Sequence, residues 1–219
     1  MMASMVAWGV GNPIGDIAVE HMSPIAVFVI EMICGLLILV AGALFIPALR
    51  RAIKHIPWRI AIPFGLLQPG LAYLSGNIGW QYGSVTTGAI LMSSEVIFLA
   101  LGGAIFLREK LSLWAVLALL VGVSGAIIVG IAGQTSNPET AGVQLIILGA
   151  SISAGLIGAL AFLGVGLAGA IYGLLMRRLN SQVNIISLTV GQMTSASAFS
   201  IVMLAATNTE IPTPVGVGN

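Results

Sequence analysis

Two carboxylic acids stand where apolar side chains belong. Glu31 interrupts the run Val27 to Val40, VFVIEMICGLLILV, and Glu95 follows two serines in LMSSEVIFLALGG. An acid at the centre of a membrane-spanning helix costs about 2.5–3.5 kcal/mol on insertion scales, so such a residue faces a protein-lined cavity or a partner rather than lipid. No Lys or Arg lies in either run to neutralise it. A low-dielectric surrounding favours the protonated form of a carboxyl group, which is the property required to trade a proton for a cationic or polar solute. A permanently protonated acid giving one hydrogen bond across a helix bundle is the competing reading.

Other polar side chains could join such a site. Gln192 interrupts a late apolar run, Ser94 directly precedes Glu95, and Tyr73 and Asn77 punctuate an earlier run together with Gln68 and Ser75. Asn12 with Pro13 is expected to break the first run, and a broken helix turns free backbone groups toward a site. The expected substrate- or proton-binding set is therefore Glu31, Glu95, Gln192, Asn12, Tyr73, Asn77 and Ser94. No catalytic or metal role is expected, because His21 and His55 fall on opposite faces of the bilayer and no nucleophile–base set converges. Cys34 is the single cysteine and can form no disulfide within the chain. Gly164 to Gly169 spells G-x-G-x-x-G, but within an apolar run that follows no strand, and no G-K-[ST] occurs. Neither a nucleotide cofactor nor a nucleic-acid partner is implied.

These residues need elements to position them. With 58% apolar residues, 7% charged residues and a mean hydropathy of +1.09, the chain has too little polar surface for a water-soluble domain. It reads as an all-α polytopic membrane protein. A helix needs about 20 residues to cross the bilayer core. Seven such spans are marked by polar breaks, at Ala3 to Val19, Pro24 to Ile46, Ile60 to Trp80, Val85 to Leu107, Leu111 to Ile131, Ile152 to Met176 and Asn184 to Ala206. Met1 to Gly15 holds no Lys or Arg, so the first span is expected to be retained rather than cleaved as a leader.

All eight basic residues follow even-numbered spans: Arg50, Arg51, Lys54 and Arg59 after the second, Arg108 and Lys110 after the fourth, Arg177 and Arg178 after the sixth. Lys and Arg concentrate in cytoplasmic loops, which places the N-terminus inside the cell. Glu31 and Glu95 then share a depth of roughly 10–14 Å below the outer ends of their helices, at about 1.5 Å per residue. Trp58, Trp114, Trp80 and Tyr82 are expected to act as interfacial anchors. Glu109, between Arg108 and Lys110, is expected to make a local ion pair at most. The pairs Gly11/Gly15 and Gly169/Gly173 are expected to let helices pack closely, and they leave homodimerisation open.

Trp8 to Met32 lies without gaps over Gly169 to Met193, which pairs Glu31 with Gln192 and Met32 with Met193. The two copies start an odd number of spans apart, so they cross in opposite directions, as in the inverted repeats of transporters. The expected organisation is a five-helix repeat over residues 1–133, an external linker and interfacial segment over 134–151, and the first two helices of a truncated second repeat over 152–219. The stretch Leu71 to Val129 adds a small-residue turn after Tyr82, the mid-helix acid of SSEV, the helix-end acid of LREKLS and a Gly-rich fifth helix; Trp8 and Gly9 precede it. With these features the chain resembles the EamA-type transporters of the drug/metabolite transporter superfamily. The resemblance implies export of small metabolites or drugs across the plasma membrane by alternating access, and it implies no enzyme activity; coupling to protons is an expectation from Glu31 and Glu95 themselves. Members typically hold two fused repeats, and they often carry Pro where Val96 stands and a basic residue near Glu31. A truncated, non-transporting membrane subunit or fragment is the alternative.

Overall fold

The computed structural model describes residues 2–109, 112–133, 144–147, 150–179 and 183–209, with backbone alone at 2–10, 12, 85, 126, 129–133, 144–147 and 150–152. The elements run α1 (Met2–His21), α2 (Pro24–Phe45), α3 (Pro47–Lys54), α4 (Trp58–Gly65), a wide turn at Leu66–Leu71, α5 (Ala72–Tyr82), α6 (Val85–Met92), α7 (Glu95–Phe106), α8 (Leu113–Gly133), β1 (Gln144–Ile147), β2 (Ala150–Ser153), α9 (Ala154–Arg178) and α10 (Ile185–Thr207). Helix starts follow the sequence chemistry. Ser23, Ser84, Ser153 and Asn184 each accept an N–H of the first turn, and Pro24 sits at the opening of α2, where a missing N–H costs nothing. Among the described residues, four helical stretches are long and apolar enough to cross a bilayer: Pro24–Phe45, Thr86–Phe106, Ala154–Arg178 and Ile185–Thr207.

Three expectations about the elements change. α1 continues through Asn12 and Pro13 instead of breaking there. One proline removes one intrahelical bond, a loss that membrane helices tolerate. The run Ile60 to Trp80 does break, at Gln68, whose φ of −144° and ψ of 118° leave the helical region and separate α4 from α5. Pro69 explains this, since the residue before a proline is pushed toward extended backbone. Residues 144–147 of the expected interfacial segment pair as an antiparallel strand with residues 150–153, which run from that segment into the expected sixth span, with Gln144 opposite Ser153 and Ile147 opposite Ala150. β-Branched Ile146, Ile147 and Ile152 favour a pleated backbone there. Residues 134–143 of that segment, with Glu139, lie outside the described residues, as do Lys110 and the tail from Glu210.

The chain divides into two compact units, Met1–Gly70 with Ser181–Asn219, and Leu71–Asn180. In the first unit α10 packs on α2, α3 and α4. Its core includes Ala26, Phe28, Met32, Ala61, Leu188 and Ala196. Phe28 meets Phe199 edge-on, with ring centroids 6.0 Å apart. In the second unit α9 packs on α5, α6 and α7, and Phe162 of α9 is its fully buried anchor. Trp80 stacks edge-on against Phe162 at 4.7 Å and is 6% exposed. It is therefore a core residue, not the interfacial anchor expected from its position. Trp58 and Trp114 are exposed, at 46% and 80%.

Candidate functional site

Glu95 opens α7 immediately after a tightened turn inside the apolar stretch Thr86–Phe106. The turn follows from the two serines. Ser93 Oγ donates to the Ala89 carbonyl at 2.8 Å, and the Ser94 N–H reaches the Leu91 carbonyl, three residues back, at 3.0 Å. Side-chain bonds of this kind compete with the regular ladder and wind the helix toward 3₁₀ geometry. The result aims both Ser94 and Glu95 at α9. A Cβ added to Gly166 would lie 2.6 Å from Ser94 Oγ, and one added to Gly169 would lie 2.6 Å from Glu95 Cδ and 2.8–2.9 Å from its two oxygens. Glycines one turn apart on α9 thus form the floor on which the hydroxyl and the carboxyl group rest.

The environments of the two groups differ. Ser94 is 4% exposed, and its Oγ finds no hydrogen-bond partner, whereas Glu95 is exposed. Among the described residues no Lys or Arg pairs with Glu95. A carboxyl group on a backbone floor, open on its other side and without a fixed cation, is available to a proton or to a solute cation.

In the first unit Glu31 is half-buried on α2 and Gln192 is buried on α10, and each is engaged in interactions. The helices that carry them pack directly on one another. Ser197 Oγ lies 3.0 Å from the Met32 carbonyl and 2.8 Å from the Met193 carbonyl, so it links the very residues that the sequence alignment pairs. A Cβ on Gly35 would collide with Met193, and one on Gly65 would collide with the Gln192 carbonyl. The Gly65 contact is a close backbone approach of α4 to α10 at Gln192, whereas the Gly35 contact is with the Met193 side chain. Ser197→Ala should lower stability by about 0.5–1.5 kcal/mol, the usual worth of one hydrogen bond, measurable as a reduced melting temperature in detergent.

The remaining members of the expected set are placed as follows. Asn77 is 3% exposed and Tyr73 is 40% exposed, both on α5 in the second unit, and both are engaged. The side chain of Asn12 lies outside the described residues. The structure therefore brings Ser94 and Glu95 together, places Tyr73 and Asn77 in the same unit, and places Glu31 and Gln192 on adjoining helices of the other. Among the described residues a Cβ on Gly11 would meet nothing within 4 Å, whereas one on Gly173 would meet Leu99 at 3.1 Å.

Two features escaped the sequence reading. Gln68 Oε1 is buried without a partner beside the break it helps to create, and the tripeptide Gln68-Pro69-Gly70 was its available signal. Glu109 pairs across the fold, not locally: both its carboxylate oxygens accept from Arg177 Nη1, at 3.2 and 3.3 Å. Arg178 Nη2 donates to the Phe106 carbonyl at 3.0 Å alongside. Together these bonds tie the ends of α7 and α9, which carry Glu95 and its glycine floor. Because the paired side chains are 47% and 52% exposed, screening limits the pair to below about 1 kcal/mol. Glu109→Gln should therefore shift the melting temperature only slightly.

The chain is 24% identical over 198 residues to YvbV, an uncharacterized transporter of Bacillus subtilis (strain 168). The alignment covers 90% of this chain and 59% of that protein, so the chain spans about three-fifths of its relative's length. No solved structure gives a significant match. The pattern of the EamA-like transporter family covers residues 1–131, more than half of the chain and the whole stretch carrying the mid-helix acids Glu31 and Glu95. This integral membrane protein therefore belongs to the EamA-like transporter family.

Proposed function

We propose that this chain carries small metabolites or drugs outward across the plasma membrane by alternating access, exchanging solute for protons. Glu95 is the principal exchange group, with Ser94, Asn77 and Tyr73 in the same unit. Glu31 and Gln192, with Asn12, supply a second polar set. The observation that carries the proposal is the Glu95 carboxyl group on its glycine floor, exposed and without a cationic partner among the described residues, inside a stretch otherwise apolar enough to span a bilayer. Family membership and the likeness to a transporter support the same reading.

The proposed topology has seven crossings, a cytoplasmic N-terminus, and residues 1–133 and 152–219 as inverted repeats joined by 134–151. A homodimer is compatible with it. The test is transport by the chain in proteoliposomes, using a cationic dye such as ethidium and a panel of amino acids at mildly acidic and mildly alkaline pH. The proposal expects solute movement against an imposed proton gradient. Movement indifferent to that gradient would remove the coupling, and no movement of any probe would remove carriage by this chain.

A further inference from the structure

We infer that the cavity between α3 and the start of α10 is a headgroup site for an anionic phospholipid. This inference is independent of the transport mechanism. The cavity has a volume of about 680 Å³, and Arg51, His55, Asn184 and Ser187 supply its polar lining. Among the described residues no Asp or Glu lines it. Ala48 and Ala52 complete the α3 wall, and Ala52 is 3% exposed, so the backbone stands close to the space.

Neighbouring arginines of α3 divide their work. Arg50 turns back onto the end of α2, with Nη2 3.0 Å from the Leu44 carbonyl and Nε 3.4 Å from the Ala43 carbonyl. It caps that helix and has little left for a ligand. Arg51 projects from a different face and borders the cavity, together with His55 one turn later. Among the described residues neither makes an ion pair. A guanidinium without a carboxylate, beside an imidazole that can donate an N–H, is a fork for phosphate oxygens. The N-terminus of α10 does not carry the site, because Asn184 Oδ1 already accepts the N–H groups of Ile186 and Ser187. It adds only the positive end of its dipole.

Location favours a lipid over a dissolved anion. The cavity lies between α3, which follows the apolar α2 in the chain, and the start of the apolar α10; Ile186 of its lining is 44% exposed, and Trp58, next in sequence to the lining residue Pro57, is 46% exposed. Headgroups lie at this level, and basic pockets between membrane helices are suited to their phosphates.

The test is native mass spectrometry of the whole chain in detergent. It would be titrated with phosphatidylglycerol, with phosphatidylcholine of the same acyl chains, and with inorganic phosphate. Phosphatidylglycerol should bind in preference to phosphatidylcholine, and inorganic phosphate should not displace it. Replacing both Arg51 and His55 by Ala should weaken phosphatidylglycerol at least about tenfold, the loss expected when charge-assisted bonds go. Replacing both Lys54 and Arg59, exposed basic residues that do not border the cavity, should change binding less than about twofold. Equal losses in the two variants would mean diffuse attraction and overturn the site. Absence of headgroup preference would overturn it as well, and displacement by inorganic phosphate would reassign it to a soluble anion. If the double variant melts below the parent, Arg51→Gln alone is decisive: it keeps a polar side chain, and retention of parental affinity would refute the assignment.

Discussion

Glu95→Gln should abolish the pH dependence of transport and slow the remaining movement of a cationic solute at least about tenfold, equivalent to about 1.4 kcal/mol. The substitution keeps size and hydrogen-bonding capacity while removing the group that gains and loses a proton. It leaves the floor of Gly166 and Gly169 intact, so the chain should insert and melt as the parent does. A purely structural, permanently protonated acid would show the reverse pattern, with transport and pH profile preserved. Glu31→Gln should likewise flatten the pH profile if the second acid shares the exchange. A flat profile for Glu95→Gln with an unchanged one for Glu31→Gln would confine exchange to the second unit. Proteoliposome flux measured across pH for each variant separates these cases.

Gly65→Leu should cost more stability than any other single change considered above, at about 3 kcal/mol or more, the upper end of overpacking penalties. A Cβ at this position would press on the Gln192 carbonyl and lie 2.8 Å from its Cα. Both are backbone atoms of α10, so no rotamer change relieves the clash, and α4 must separate from α10. Because α10 also packs on α2 and α3, the loss spreads through the first unit. Gly125→Ala on α8 is the matched control: a Cβ there meets nothing within 4 Å, and the change should lie within about 0.5 kcal/mol of neutral. Thermal melting of both variants in one detergent checks the contrast. Comparable melting would show that α4 and α10 do not approach as described.

The long helices were legible in the sequence because their signals are local. Ser23 with Pro24, Ser153 and Asn184 mark helix starts, and Arg177 with Arg178 marks an end. What the sequence could not supply depends on partners distant along the chain. Glu109 reaches Arg177, and nothing near Glu109 announces it. Trp80 sits at a helix end, where an anchor is expected, but Phe162 provides an edge-on partner and draws it inside. The same holds for the candidate site: Glu95 could be picked out as a misplaced acid, while the importance of Gly166 and Gly169 emerges only when α6 and α7 pack on α9.

The central claim is that the Glu95 carboxyl group gives up its proton when solute binds. Adding ethidium to the purified chain in weakly buffered detergent solution, with a pH electrode recording released protons, tests this without requiring a transport cycle. The account predicts saturable proton release from the parent and none from Glu95→Gln. Equal release from both proteins, or ethidium binding by the parent without release, would contradict it.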